Sequence, residues 1–371
     1  MVTIFDTETT TFKKGNPFSR CNRLCYAGLL REGGYKKLES ELTPLTHDLL
    51  SATLLVGFNI KFDLHWLMRY GLSLRHIPLW DCQLAHFLLT NQTVRYPSLE
   101  EVCRFYGLAG KDDNIKLNYW DKGIDTPSIP KEEMLKYLEV DLERTLEVYH
   151  KQLEHFKDFP KLYTLFRIHC QDTHVLQEME WNGLRLNVEQ ARLKADETRK
   201  RLDGIEATLQ SKVAGGLTLN WDSVDDVSRF LYGGTITREN RVVVGVYLSG
   251  QKQGQPRYKI ERVSYELPAL TVPLKGSELA KEGYWSTDEK TLKQLKGVKP
   301  LVSLLLDRSR LSKLLDYYDG LPTLISDMDW DDSTLHGQLN QCVAITGRLS
   351  ATNPNQQNQP SEAKQLLISR F

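Results

Sequence analysis

Apolar and polar positions along the first part of the chain fall into short blocks. Val2-Thr3-Ile4-Phe5 is a β-branched and aromatic run that ends in a carboxylate at Asp6, and this is strand composition. Residues 23–30 predict a second strand, and Arg31-Glu32-Gly33-Gly34 predicts a hairpin turn into residues 35–38. Residues 52–58 are a third apolar run. Asn59 then opens a helical period over residues 60–67, with Asn59 expected as the N-cap. Further helices are predicted over 82–90 after Asp81, from Ser98 onward, and over 130–152, where apolar residues fall at 134, 135, 138 and 142. Strands followed by helices imply a central sheet with helices on its faces.

Past residue 155 the pattern changes. Two long charged helices are predicted over 163–181 and 188–213, separated by Asn182-Gly183. Residues 217–300 are richer in glycine and alternate like strands, most clearly over 241–248, with a polar turn at 250–256. Residues 301–318 read as a helix and 335–345 as a strand. The expected organisation is an α/β domain over 1–155 and a second region over 156–371 with a β-rich insertion at about 235–283.

Composition narrows the class. The chain has 371 residues, 40% apolar and 26% charged, which is globular usage. No apolar run reaches the roughly 18–20 residues of a membrane helix, and the N-terminus has no signal-peptide pattern. Six cysteines, at 21, 25, 82, 103, 170 and 342, are scattered as reduced thiols of a cytoplasmic protein would be. The 48 basic residues equal the 48 acidic ones, which argues against a protein that coats DNA non-specifically. An enzyme with a carboxylate cluster stays compatible, because such a cluster cancels basic residues elsewhere. No phosphate-binding Gly-x₄-Gly-Lys-Ser/Thr loop occurs. Cys21 and Cys25, with His169, Cys170 and His174, lack the close spacing of structural zinc sites.

The chemistry concentrates in carboxylates. Asp6 and Glu8 are two apart at a strand end and so share a face. Asn59 with Asp63, and Tyr137 with Asp141, are each four apart on helices and share a face too. Each pair alone is what a solvated edge, a helix cap or an ordinary amphipathic helix carries. Together they supply hard oxygen donors from three elements, as Mg²⁺ requires. Two such ions roughly 4 Å apart can hold the attacking and leaving oxygens of a phosphoryl displacement. Asp81 is either a fifth acid near this site or a helix N-cap, and the cap is the favoured role.

Phe5-Asp6-Thr7-Glu8-Thr9, Gly57-Phe58-Asn59-Ile60-Lys61-Phe62-Asp63 and Tyr137-Leu138-Glu139-Val140-Asp141 resemble the three motifs of the DEDD superfamily of 3′–5′ exonucleases, tyrosine subtype, like the proofreading domain of family A DNA polymerases. The resemblance implies an RNase H-like (DnaQ-like) fold over the first 155 residues. It implies two Mg²⁺ ions, with Mn²⁺ as the substitute, on Asp6, Glu8, Asp63 and Asp141, and a water positioned by Tyr137. A free phenol titrates near about 10 and is a poor base, so orientation of the water is the role expected of Tyr137. Thr7 and Asn59 are candidates to contact the frayed strand end. Phe58 departs from the His that many viral relatives carry there, outside the ligands.

Thr346-Gly347-Arg348-Leu349-Ser350-Ala351-Thr352-Asn353-Pro354-Asn355-Gln356-Gln357-Asn358-Gln359-Pro360 resembles the junction of thumb and palm in family A DNA polymerases. Glu178 to Leu184, Leu231-Tyr232-Gly233-Gly234, Ser286 to Leu292 and Leu311 to Leu315 are similar to that family in the same order, in a form like its viral members. The implied architecture is an exonuclease domain, a mainly helical thumb and a partial α+β palm. Arg348 is a candidate for the minor groove at the primer end, Asn355, Gln357 and Asn358 for sugar, phosphate and template contacts, and Lys313 for a backbone phosphate. The family's palm aspartate, fingers helix and second palm motif are not in the 371 residues. The expectation is therefore the proofreading subunit of a split polymerase, acting on a single-stranded 3′ end and on primer–template DNA in the (host) cytoplasm, with a second chain carrying fingers and catalytic palm. Two alternatives are a stand-alone DEDD exonuclease on single-stranded DNA or RNA, and a non-catalytic DNA-binding scaffold.

Overall fold

The structure is a computed structural model, and it describes residues 1–110, 114–213, 215–295 and 297–369. The chain divides into two compact units, one of residues 1–191 with 320–371 and one of residues 192–319.

In the first unit, β1 (Val2–Thr9) is the middle strand of a five-stranded sheet with β2 (Leu24–Arg31), β3 (Lys36–Glu39), β4 (Leu54–Gly57) and β5 (Leu79–Asp81). The strand order is β3-β2-β1-β4-β5. The first three strands pair antiparallel as hairpins, and β4 and β5 run parallel to β1. Each parallel step needs a crossover, and helices α1 (Thr46–Leu50) and α2 (Lys61–Arg69) lie on those connections. The predicted turn before β3 is present, with Gly33 and Gly34 both at positive φ. Then follow α3 (Cys82–Leu89), α4 (Leu99–Phe105), α5 (Asn114–Asn118), α6 (Lys131–Lys157) and α7 (Pro160–Asn182). Ser98 and Glu101 form a capping box at the start of α4.

The core lies between sheet and helices. Phe5, Leu29, Leu55, Trp66 and Trp80 are fully buried there with Leu138 and Leu142 of α6. Each buried side chain of the Phe or Leu type stabilises by about 2 kcal/mol. Gly28 lets α6 lie close on β2, because a Cβ there would come within 2.8 Å of the Leu142 Cδ1 atom. Trp80 Nε1 donates to Gln152 Oε1 at 3.0 Å, and Gln152 Nε2 donates to the Cys82 carbonyl at 2.8 Å, so α6 is also tied to the β5–α3 corner.

After α7 the chain turns at Gly183, which has φ of 60° and where a Cβ would meet Thr334 and Leu335. It then forms β6 (Leu184–Leu186) and enters α8 (Val188–Gln210). The second unit contains α9 (Val224–Tyr232), a long ribbon of β7 (Gly234–Val246) and β8 (Pro256–Leu267), α10 (Glu289–Gln294) and α11 (Lys299–Asp327) up to residue 319. Its own core includes Leu217, Trp221, Phe230, Leu231, Val302 and Leu305. Arg308, nearly buried, donates to Glu206 at 2.9 Å and to Asp222 at 2.5 Å within this unit.

The chain then rejoins the first unit as β9 (Thr334–Leu335), β10 (Gln338–Asn340), β11 (Ser350–Thr352), α12 (Ser361–Lys364) and β12 (Leu367–Ile368). A three-stranded sheet has the order β12-β6-β9, and β10 pairs antiparallel with β11. The strand expected over 335–345 is therefore two short pieces. His336-Gly337 breaks it, because the chain there leaves one sheet for the other. The helix expected over 301–318 is longer, running over Lys299–Asp327 with Pro322 inside it. Helix α9 was not anticipated from the pattern.

Candidate active site

β1 carries Asp6 and Glu8 toward its C-terminal end, opposite Gly28 and Tyr26 of β2 in the pairing register. Helix α6 packs on the sheet through Leu138 and Leu142, and the same helix presents Tyr137 and Asp141. The outcome is a cluster in which carboxylate oxygens of Asp6, Glu8 and Asp141 lie within 4.8 Å of one another. Among the described residues it is the one such group of three or more acidic, His or Cys side chains. Asp63 stands beside the cluster and outside that tight set. It is buried, and its Oδ1 accepts the Thr7 hydroxyl at 2.5 Å. Burial and the neighbouring Asp6 charge push its carboxyl well above the usual range, and the Thr7 bond pulls the other way.

A cleft of about 440 Å³ opens over the cluster, lined by Asp6, Phe58, Ser98, Trp120, Tyr137 and Asp141 among others. The Tyr137 ring is held edge-on to Trp120 at 5.6 Å, in a small apolar cluster with Ile115, Ile129 and Met134. Trp120 and the exposed Lys116 at this cleft were not singled out from the sequence. They come from short helical turns whose pattern carries no signal.

The β4–α2 corner departs from expectation. Asn59 is not a side-chain N-cap: α2 begins at Lys61, Ile60 occupies the cap position, and no side-chain cap bond forms. Asn59 instead adopts φ of 56°, a conformation Asn tolerates better than most residues. Asp81 ties this corner to the start of α3. Its carboxylate accepts from the backbone N–H groups of Asn59 at 3.1 Å and Ile60 at 3.2 Å, and from Gln83 at 2.9 Å and Leu84 at 3.3 Å at the start of α3. Burial pushes the Asp81 carboxyl up while these four donors pull it down. Asp81 is thus the N-cap of α3, as favoured from the sequence, and it also pins the corner that aims α2.

Residues 5–155 match the family model described as 3′–5′ exonuclease, and residues 265–370 match DNA polymerase family A. The chain thus joins a segment similar to 3′–5′ exonuclease domains to a segment similar to family A DNA polymerases. It is 27% identical over 308 residues to DNA polymerase I of Synechocystis sp., covering 81% of this chain and 26% of that protein. It is 25% identical over 331 residues to DNA polymerase I of Streptococcus pneumoniae, covering 89% of this chain and 32% of that protein. A shorter stretch of 105 residues is 40% identical to the thermostable DNA polymerase I of Thermus filiformis, covering 28% of this chain and 12% of that one. The chain thus spans about a quarter to a third of the first two relatives' length. The POL domain of Pol1 from M. smegmatis, solved in complex with DNA primer-template and dNTP, superposes with a TM-score of 0.70 at 16% identity, over 98% of this chain and 53% of that one. The fold is that of a Pol I-like exonuclease with polymerase thumb and palm.

The remaining candidates are scattered. Thr7, offered from the sequence to a strand end, is buried with its hydroxyl spent on Asp63, so its side chain supports the site from within. Asn59 is exposed at the corner before α2. Lys313 is exposed on α11 in the second unit. Arg348, Asn355, Gln357 and Asn358 are exposed around β11 in the first, where the Asn355 side chain accepts from the Gln357 N–H at 3.1 Å. Among the described residues no helix is long and apolar enough to cross a membrane.

Proposed function

We propose that residues 1–155 hydrolyse the 3′-terminal phosphodiester of a single DNA strand, and that residues 156–371, as thumb and partial palm, hold primer–template DNA. The observation that carries the first part is the triple approach of Asp6, Glu8 and Asp141 within 4.8 Å beneath a cleft shared with Tyr137, inside the segment that matches a 3′–5′ exonuclease. Carboxylates this close repel one another unless a cation sits among them. Hard oxygen donors suit Mg²⁺ or Mn²⁺, so the residues fit the ions, with Asp6, Glu8, Asp63 and Asp141 holding them. Two such ions, when bound, supply a water of lowered pKa and charge neutralisation for the leaving oxygen.

The protein's own groups do the rest. Tyr137, its ring fixed against Trp120, orients the attacking water with its hydroxyl. Phe58 and Trp120 line the cleft as faces for a terminal base to stack on. Asn59 reaches the strand end from the corner of α2. Thr7 keeps Asp63 aimed at the other carboxylates.

Arg348, Asn355, Gln357, Asn358 and Lys313 contact the duplex in this reading. Polymerisation belongs to fingers and palm groups outside these 371 residues, on a continuation of the chain or on a second chain, and the viral form and cytoplasmic setting are parts of the same proposal. The deciding experiment is Mg²⁺-dependent degradation of a labelled single strand from its 3′ end, with Asp6→Ala/Glu8→Ala as control. Cleavage that disappears in the double variant supports the reading, and cleavage that persists in it overturns it. For the duplex-holding part, loss of primer–template affinity in Arg348→Ala is expected.

A further inference from the structure

The carboxylate of Glu180, at the C-terminal end of α7, is 4% exposed, and three groups converge on it. Lys61 Nζ donates to its Oε1 at 2.6 Å, the Leu339 N–H donates to the same oxygen at 2.5 Å, and His65 Nε2 lies 2.7 Å from its Oε2. Lys61 also donates to the Leu339 carbonyl at 2.5 Å, and His336 Nδ1 lies 2.9 Å from the Glu180 backbone carbonyl. Lys61 and His65 are four apart on α2 and share one face. Asp63 lies between them in sequence and on the opposite face, where it takes the Thr7 hydroxyl. Helix α2 is therefore gripped from both sides, by β1 through Thr7 and by α7 and β10 through Glu180.

Nothing in the carboxylate chemistry requires this second grip. A buried ion pair is weak evidence for stability, since its desolvation cost offsets much of its attraction. The arrangement is better suited to fixing geometry, because one carboxylate sets the position of a short helix against two other elements. We propose that Glu180 is a positioning residue for the exonuclease: it holds α2 at the height and rotation that bring Asp63 to the Asp6, Glu8 and Asp141 cluster. Because β10 pairs with β11, next to Arg348, the same carboxylate joins the aim of Asp63 to the segment assigned to primer contact. The proposal rests on the exonuclease reading of the cluster.

The test compares the full chain with Glu180→Gln, which keeps an acceptor for the Leu339 N–H, and with Lys61→Met/Glu180→Gln, which leaves no buried charge unpaired. Mn²⁺ binding is measured by calorimetry without DNA, alongside the Mn²⁺ dependence, kcat and KM of single-strand cleavage and the Tm. Both variants are expected to weaken Mn²⁺ binding about tenfold, the lower end of what loss of a ligand-orienting partner costs. KM for the strand should stay within about twofold. Unchanged Mn²⁺ affinity in a folded variant of either kind overturns the positioning role, even if its Tm falls. The reading beneath it fails separately, and visibly, if wild-type protein and Asp6→Ala/Glu8→Ala bind Mn²⁺ alike.

Discussion

Thr7 donates its hydroxyl proton to Asp63 across 2.5 Å, with both side chains buried, and so joins the central strand to a helix 56 residues away in sequence. A hydrogen bond to a charged group contributes about 1.5–3 kcal/mol. Thr7→Val keeps the shape and removes the donor. We expect cleavage to slow roughly ten- to a hundredfold, the kinetic equivalent of that energy, with a modest loss of stability. Single-turnover degradation of a labelled strand, set beside the unfolding midpoint, checks this.

Asp63 also sets a pH dependence. Its folded-state carboxyl holds a proton to higher pH than the unfolded one, through burial and the Asp6 charge. Above the unfolded value of about 4, the native state binds more protons than the unfolded chain, so this group lowers stability as pH rises. In EDTA, Asp63→Asn is expected to raise Tm at pH 8 and to leave it nearly unchanged at pH 4. Adding Mg²⁺ should reverse the order at pH 8 by stabilising only the wild type. A Tm for Asp63→Asn below wild type in EDTA at pH 8 would contradict the assignment.

Asp81 accepts four backbone N–H groups at two corners of the fold. Asp81→Ala leaves them unanswered, those of Ile60 and Leu84 in buried positions, at a cost of about 3 kcal/mol. Denaturant unfolding measures that loss. Exonuclease activity should fall further than stability alone explains, because the corner at Asn59 aims α2.

Lys313 and Arg348 separate two kinds of DNA contact. If Lys313 meets a phosphate, Lys313→Ala should lower the salt slope of duplex binding by about one unit, with no sequence preference. Arg348→Ala should weaken binding to a paired primer end more than to the duplex interior. Equal slopes for wild type and Lys313→Ala would remove the phosphate contact.

Much of the exonuclease was legible because its chemistry is carried by short-range spacing. Asp6 with Glu8 and Tyr137 with Asp141 each sit on one regular element, and alternation or helical period tells which face they share. Asn59 misled for the converse reason. Its cap role depended on the backbone of the corner, which takes φ of 56° at Asn59 and gives the Asn59 N–H to Asp81, from the neighbouring strand 22 residues later. The Glu180 grip was invisible for the same reason: its partners lie 115, 119 and 159 residues away. The split of the expected strand over 335–345 also followed from pairing outside the segment, with β6 about 150 residues earlier on one side and the nearby β11 on the other.

The return of residues 320–371 to the first unit has a consequence for synthesis. Arg20 meets Asp329 at 2.6 Å, and the Phe18 ring stacks on His336 at 4.1 Å, contacts that span more than 300 residues of chain. At about 5–20 residues per second, the ribosome leaves Phe18 and Arg20 waiting for roughly fifteen seconds to a minute before that covering arrives. During this interval the Phe18 ring lacks His336, and for about the second half of it the Glu180 carboxylate lacks Leu339. A nascent chain paused before residue 320 therefore offers chaperones and proteases a surface that the finished protein never shows.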